Sequence, residues 1–209
     1  MKTNALLIIA GLLLSVLSFN TLAVAGPLGS GRYSSMWMLL EKTILMVDVL
    51  TVQVVVDQDT QTKLKAIAEG KKYSKGLGDQ AATIAIKSED AKVVLKFKRS
   101  VPLGMWLDGV FENLDQAAKA GLISGATKGK VTARLKKEFA KIEDRGYEEN
   151  DKVIYRVKPG SLEVKVVTAD GKELLRFVDK GKDAPGVVLA SYFAPESDFR
   201  VPLLKSLFR

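Results

Sequence analysis

The 209 residues include no cysteine and no histidine. Without cysteine there is no disulfide, no thiol nucleophile and no lipid-modified cysteine. Without histidine the usual general base is missing, and with it the Ser-His-Asp and Cys-His arrangements and nearly every zinc site. Catalysis, if any, falls to Tyr, Lys, Arg, carboxylates or amides. No metal and no other cofactor is expected. Internal repeats and low-complexity tracts are lacking as well.

What is present fits one ordinary globular domain: 47% of the residues are apolar and 27% charged. The first 25 residues read as a separate, processed segment. Lys2 supplies a positive start, Ala5 to Phe19 form an apolar run, and Ala23-Val24-Ala25 has the small-x-small form of a signal-peptidase site. The run is shorter than the ~20 residues a spanning helix needs. We therefore expect residues 1–25 to be a signal peptide, residues 26–209 to be a single domain, and the product to be exported to the periplasm. Net charge is +8, or +7 once Lys2 leaves, with 31 basic against 24 acidic residues. Outside the cytoplasm nucleic acid is not an expected partner. A basic chain there can touch an anionic membrane surface without being integral to it.

Hydrophobic periodicity places the elements. Thr43 to Val56, "TILMVDVLTVQVVV", reads as one bent strand or a pair, interrupted by Asp48. Residues 59–72 read as a helix with Leu64, Ile67 and Ala68 on one face, "YSKGLGD" (73–79) as a loop, and "QAATIAIKS" as a short helix. "KVVLKFK" (92–98) is a strand with one face toward a core and one toward water. Ser100 is positioned to cap a helix running to about Ala120, where Gly121 ends it, and a second helix spans roughly Val131 to Asp144 before Gly146. "DKVIYRVK", "SLEVKVVT" and "KELLRFV" then form a meander joined at Pro159-Gly160 and Asp170-Gly171. Two short helical pieces, broken at Pro195, close the chain. This order predicts an α+β fold, an antiparallel sheet with helices packed on one face.

The helix after "KVVLKFK" carries a continuous apolar stripe of Leu103, Trp106, Leu107, Val110, Phe111, Leu114 and Ala117, the pattern of packing rather than chemistry. Asn113 ends that stripe. Seven residues at about 100° each return to within ~20° of the start, so Trp106 and Asn113 share a face. A buried amide must find partners. Asp48 is expected to pair with Arg99 or Arg145, Asp198 and Arg200 to anchor the terminal segment with Arg145, and Glu148, Glu149 and Asp151 to form a solvated acidic turn. "GATKGK" (125–130) is too short between its glycines for a phosphate loop and has Val131 where Ser or Thr would bind magnesium, so it reads as a flexible basic loop.

Taken in order, "VVLKFKRSVPLGMWLDGVFEN", "AAKAGLIS", "VTARLKKEFAKIEDRGYEENDKVIYRV", "SLEVKVVTADGKEL" and "VVLASYFAPESDFRVPLLKSLF" resemble the chalcone isomerase fold family, in particular its exported bacterial members. The resemblance implies an open-faced sandwich with a ligand cleft beside the 102–120 helix. In the family's isomerases a Tyr and, seven residues on, an Asn project into that cleft; the matching positions are Trp106 and Asn113. An indole donates one hydrogen bond and accepts none, so the hydroxyl used in the reaction is missing. The family's Arg finds candidates in Arg32 and Lys42, while its Thr falls near Leu45. Ser191 lies near a further cleft hydroxyl. Other members bind fatty acids in the same cleft. The resemblance thus implies a non-catalytic protein that holds a small hydrophobic or amphipathic carboxylate ligand with Trp106, Asn113, Ser191, Arg32 and Lys42. An isomerase acting on a chalcone-like enone and an envelope scaffold are the alternatives.

Overall fold

Alternation of apolar and polar side chains dictates the sheet in the computed structural model, which describes residues 35–42, 47–181 and 183–209. The expected signal peptide, Arg32 and the position near Leu45 lie outside those residues. Among the described residues six strands, β1 (Ser35–Lys42), β2 (Val47–Val56), β3 (Ala91–Phe97), β4 (Lys152–Lys158), β5 (Ser161–Val167) and β6 (Glu173–Asp179), pair antiparallel in chain order. Cross-strand rows show why the register is fixed. Met38, Val52, Leu95, Val153, Val166 and Leu175 line up across all six strands, and Met36, Val54, Val93, Tyr155, Val164 and Phe177 form a second row. Every one of these side chains is buried, so a slip of one residue would turn a whole strand's apolar set to water. The intervening row, Trp37, Gln53, Val94, Ile154, Lys165 and Arg176, faces outward.

Among the described residues six helices cover the inner face: α1 (Gln58–Ala68), α2 (Lys75–Ile86), α3 (Leu103–Lys119), α4 (Gly125–Phe139), α5 (Ala184–Phe193) and α6 (Arg200–Lys205). The expected α+β class, helices on one face of an antiparallel sheet, is the observed architecture. Helix α5 is apolar nearly all round and lies between β4, β5, α2 and α3, as a helix without a polar face must. None of the described helices is long and apolar enough to cross a membrane.

Several local expectations change. Of the stretch 43–56, expected as one bent strand or a pair, residues 47–56 form β2 and 43–46 lie outside the described residues; β1 precedes it, built from "SMWMLLEK", a segment that pairing with β2 makes extended. The expected loop over 73–79 is mostly helix: α2 begins at Lys75, capped by Ser74. Gly78 within it serves packing, since a Cβ there would stand 2.7 Å from the Tyr73 hydroxyl. "GATKGK" is the start of α4 rather than a flexible loop, because the Ser124 hydroxyl accepts from Thr127 N at 3.0 Å and caps it. That helix therefore runs over 125–139, followed by a 3-10 turn at Ala140–Ile142, instead of 131–144. Pro102, not Ser100, stands at the start of α3 and offers no side-chain cap.

The acidic turn before β4 is not merely solvated. Asp151 is 1% exposed. It accepts from Arg145 Nη1 at 2.6 Å and Nη2 at 3.3 Å and from Glu148 N at 2.9 Å, and Arg145 also pairs with Glu148. Arg145 is thereby unavailable to Asp48, which is exposed on β2, and to the terminal segment. Arg200 instead bonds Asp79 at 2.7 Å and the Phe193 carbonyl. The Arg145–Asp151 clamp fixes a turn whose backbone bonds Val101 to Tyr147 in both directions. Gly146 sits there at φ +62°, where a Cβ would come 2.8 Å from the Val101 carbonyl oxygen. Gly146→Ala is expected to destabilise the fold by about 1–3 kcal/mol, from left-handed strain and that clash. Urea unfolding should show a lower midpoint at unchanged slope.

Candidate functional site

Helix α3 builds the site because its two ends meet different partners. Near its C-terminal end Ala117 packs with Ala190 and Ala194, small side chains that let α3 and the end of α5 approach closely. Near its N-terminal end Trp106 enters a chain of rings. Phe97 of β3 stacks on Tyr147 at 4.1 Å, Tyr147 meets Trp106 edge-on at 5.2 Å, and Trp106 meets Phe139 of α4 at 4.8 Å. Phe139 in turn meets Phe177 of β6 at 6.1 Å. Such pairs add about 0.5–1.5 kcal/mol each beyond their burial. The middle of α3 is left standing off the sheet.

The space so enclosed is a cavity of about 430 Å³, within the ~300–1,000 Å³ range of small-molecule sites. Its floor is Leu50, Leu95, Tyr155, Val164 and Phe177 of the sheet, its roof Trp106, Gly109, Val110, Asn113 and Leu114 of α3, and its side Val187, Val188, Ser191 and Tyr192 of α5. The structure thus gathers three of the five residues expected from the sequence around one space. Trp106 is a wall residue, 6% exposed and packed among rings. Asn113 borders the cavity, yet its amide is engaged: Nδ2 donates to the Gly109 carbonyl at 2.8 Å and Oδ1 accepts from the Ser197 hydroxyl at 2.7 Å. Ser191 is buried and donates to the Val188 carbonyl at 2.8 Å. Lys42 ends β1 opposite Val47, with a side chain outside the described set, and Arg32 is outside it altogether.

Residues the sequence reading did not single out complete the wall. Arg134 of α4 reaches the cavity, pairs with Glu138 at 3.1 Å and lies 5.5 Å over the Phe177 ring. Asp108, Glu112 and Asp179 also border it, as does Asp198, which the sequence suggested only as an anchor of the terminal segment. All five charged groups are exposed or half-exposed, so they belong to the mouth. Besides Ser191 and the Gln116 amide, the interior polar groups among the described residues include Tyr155 and Tyr192, 5% and 6% exposed. Burial pushes the ionisation of both hydroxyls, and of the nearby Tyr147, well above the ordinary tyrosine value, and the three lie within electrostatic range of one another. Strand alternation marks Tyr155 as inward-facing, but nothing in the sequence marks its neighbour across the cavity.

No family model and no curated protein matches the chain. Among solved structures it is similar to a fatty-acid binding protein of Arabidopsis thaliana, with a TM-score of 0.57 and 16% identity over 88% of this chain and 92% of that one. At that identity the likeness concerns the fold, and the fold is the chalcone isomerase-like one.

The raised hydroxyls have a measurable consequence. A group whose folded value exceeds its unfolded value stabilises fully below the unfolded value, about 10 for tyrosine, and that stability is lost as pH rises further. Absorbance of phenolate against pH should show Tyr147, Tyr155 and Tyr192 ionising only together with unfolding, above pH ~10.

Proposed function

We propose that this protein is an exported, periplasmic, non-catalytic binder of a small amphipathic ligand such as a fatty acid. The observation that carries the reading is the apolar cavity between α3 and the sheet. Two further points support it: the signal-like first 25 residues, and the similarity in fold to a protein that binds fatty acids. An apolar chain of about ten methylenes, at roughly 0.8 kcal/mol each, supplies about 8 kcal/mol, the free energy of a micromolar complex before ordering costs are subtracted. The isomerase alternative has less behind it. An indole stands at 106, and the Asn113 amide is held by Gly109 and Ser197.

Gly109 offers a test that separates binding from folding. It lines the cavity one helical turn from Trp106, and a Cβ there meets nothing within 4 Å. Gly109→Leu should fill the space while stabilising α3, since a glycine in a helix interior costs up to ~1 kcal/mol relative to a good helix former. Native mass spectrometry with lauric acid should show one bound molecule on the wild type and none on Gly109→Leu, whose melting temperature is unchanged or raised. A wild type that takes up neither lauric acid nor its methyl ester, or a variant that binds lauric acid equally, would contradict the reading.

A further inference from the structure

If the cavity holds an amphipath, as proposed above, its polar end must lie either at the mouth or inside, and the two places differ in chemistry. Among the described residues the mouth carries the carboxylates of Asp108, Glu112 and Asp179 against one cation, Arg134. That cation is paired with Glu138. A ligand carboxylate placed there would meet net negative charge. The interior, among the described residues, has no cation at all, and a carboxylate moved into it without one would lose several kcal/mol of hydration with no opposite charge in return.

The interior does hold donors. The Tyr155 and Tyr192 hydroxyls form no hydrogen bond with any described residue, although both side chains are more than nine-tenths buried and both line the cavity. Tyr147, within electrostatic range of both, has a hydroxyl that is fully buried and unpartnered. Buried phenols are normally hydrogen-bonded, and the two that line the cavity without partners mark a place where an acceptor belongs. Because burial disfavours their ionised forms, they remain donors throughout the neutral range. On the wall, Gln116 Oε1 of α3 is a further buried atom without a partner, an acceptor in this case.

We propose that the cavity takes its ligand polar end first, with an uncharged carbonyl group, as in an ester, a ketone or a protonated carboxylic acid, accepting from the Tyr155 and Tyr192 hydroxyls. The apolar chain then runs along α3 toward the mouth. The selectivity that follows is for neutral acceptors over free carboxylates, which is the opposite of a site built around a cation.

Methyl laurate and lauric acid are the probes, titrated at pH 7.5 against tryptophan emission, to which exposed Trp37 adds a constant background to that of Trp106, in the wild type and in the Tyr155→Phe/Tyr192→Phe double variant. The ester should bind wild type at least as tightly as the acid, and the double variant should bind the ester ten-fold or more weakly. The variant should melt at an unchanged or higher temperature, since neither hydroxyl bonds the protein. Lauric acid binding ten-fold tighter than its ester in wild type, a comparison that needs no variant, would overturn this inference and leave the fatty-acid reading standing. Ester affinity undiminished in the double variant would overturn it as well. Failure of both probes on wild type would remove the inference and the proposed function together.

Discussion

The cavity exists because α3 is drawn toward α5 at one end and propped by aromatic rings at the other. Alanines at 117, 190 and 194 allow close approach; Trp106, wedged between Phe139 and Tyr147, prevents it. Neither set alone would leave a void. Alanines throughout would bring the helix down onto α5 and the sheet, and rings throughout would fill the space they now border. Interiors pack densely as a rule, so an apolar void of this size between well-packed ends is a product of the sequence at a few positions. The wedge in turn depends on the Arg145–Asp151 clamp, which fixes the turn carrying Tyr147.

That arrangement changes what the conspicuous residues do. Trp106 and Asn113 share a helical face and both border the cavity, but their principal partners are protein. The indole belongs to the ring chain, and the amide ties α3 to the segment after α5 through Ser197. Among the described wall residues, the groups left without partners are the hydroxyls of Tyr155 on a strand and Tyr192 on a helix, and Gln116 Oε1 of α3. Chemistry at this site therefore rests more on what the wall leaves unsatisfied than on the residues that stand out in sequence.

Much of the scaffold was legible. The meander over 152–179, the stripe of α3 and the class of the fold follow from periods of two and of 3.6. The failures have physical causes. "SMWMLLEK" has no β-branched residue, and it becomes β1 through pairing with β2, a tertiary effect. Gly76, Gly78, Gly125 and Gly129 read as loop residues but lie in helices, where capping serines at 74 and 124 start the helix and Gly78 makes room for a ring. The solvated reading of Asp151 failed because its partner, Arg145, is fixed by geometry across a turn. In the site, strand alternation could say that Tyr155 faces inward, but α5 is apolar nearly all round, so no period could place Tyr192, 37 positions along the chain, beside the same cavity.

The account rests on a permanent apolar space between α3 and the sheet. Such spaces take up xenon without rearrangement. Diffraction from crystals of the protein under xenon pressure should show xenon bound between α3 and the floor formed by Leu95, Tyr155 and Val164, with Trp106 still against Phe139. Absence of xenon, with α3 packed directly on the sheet and the space closed, would contradict it.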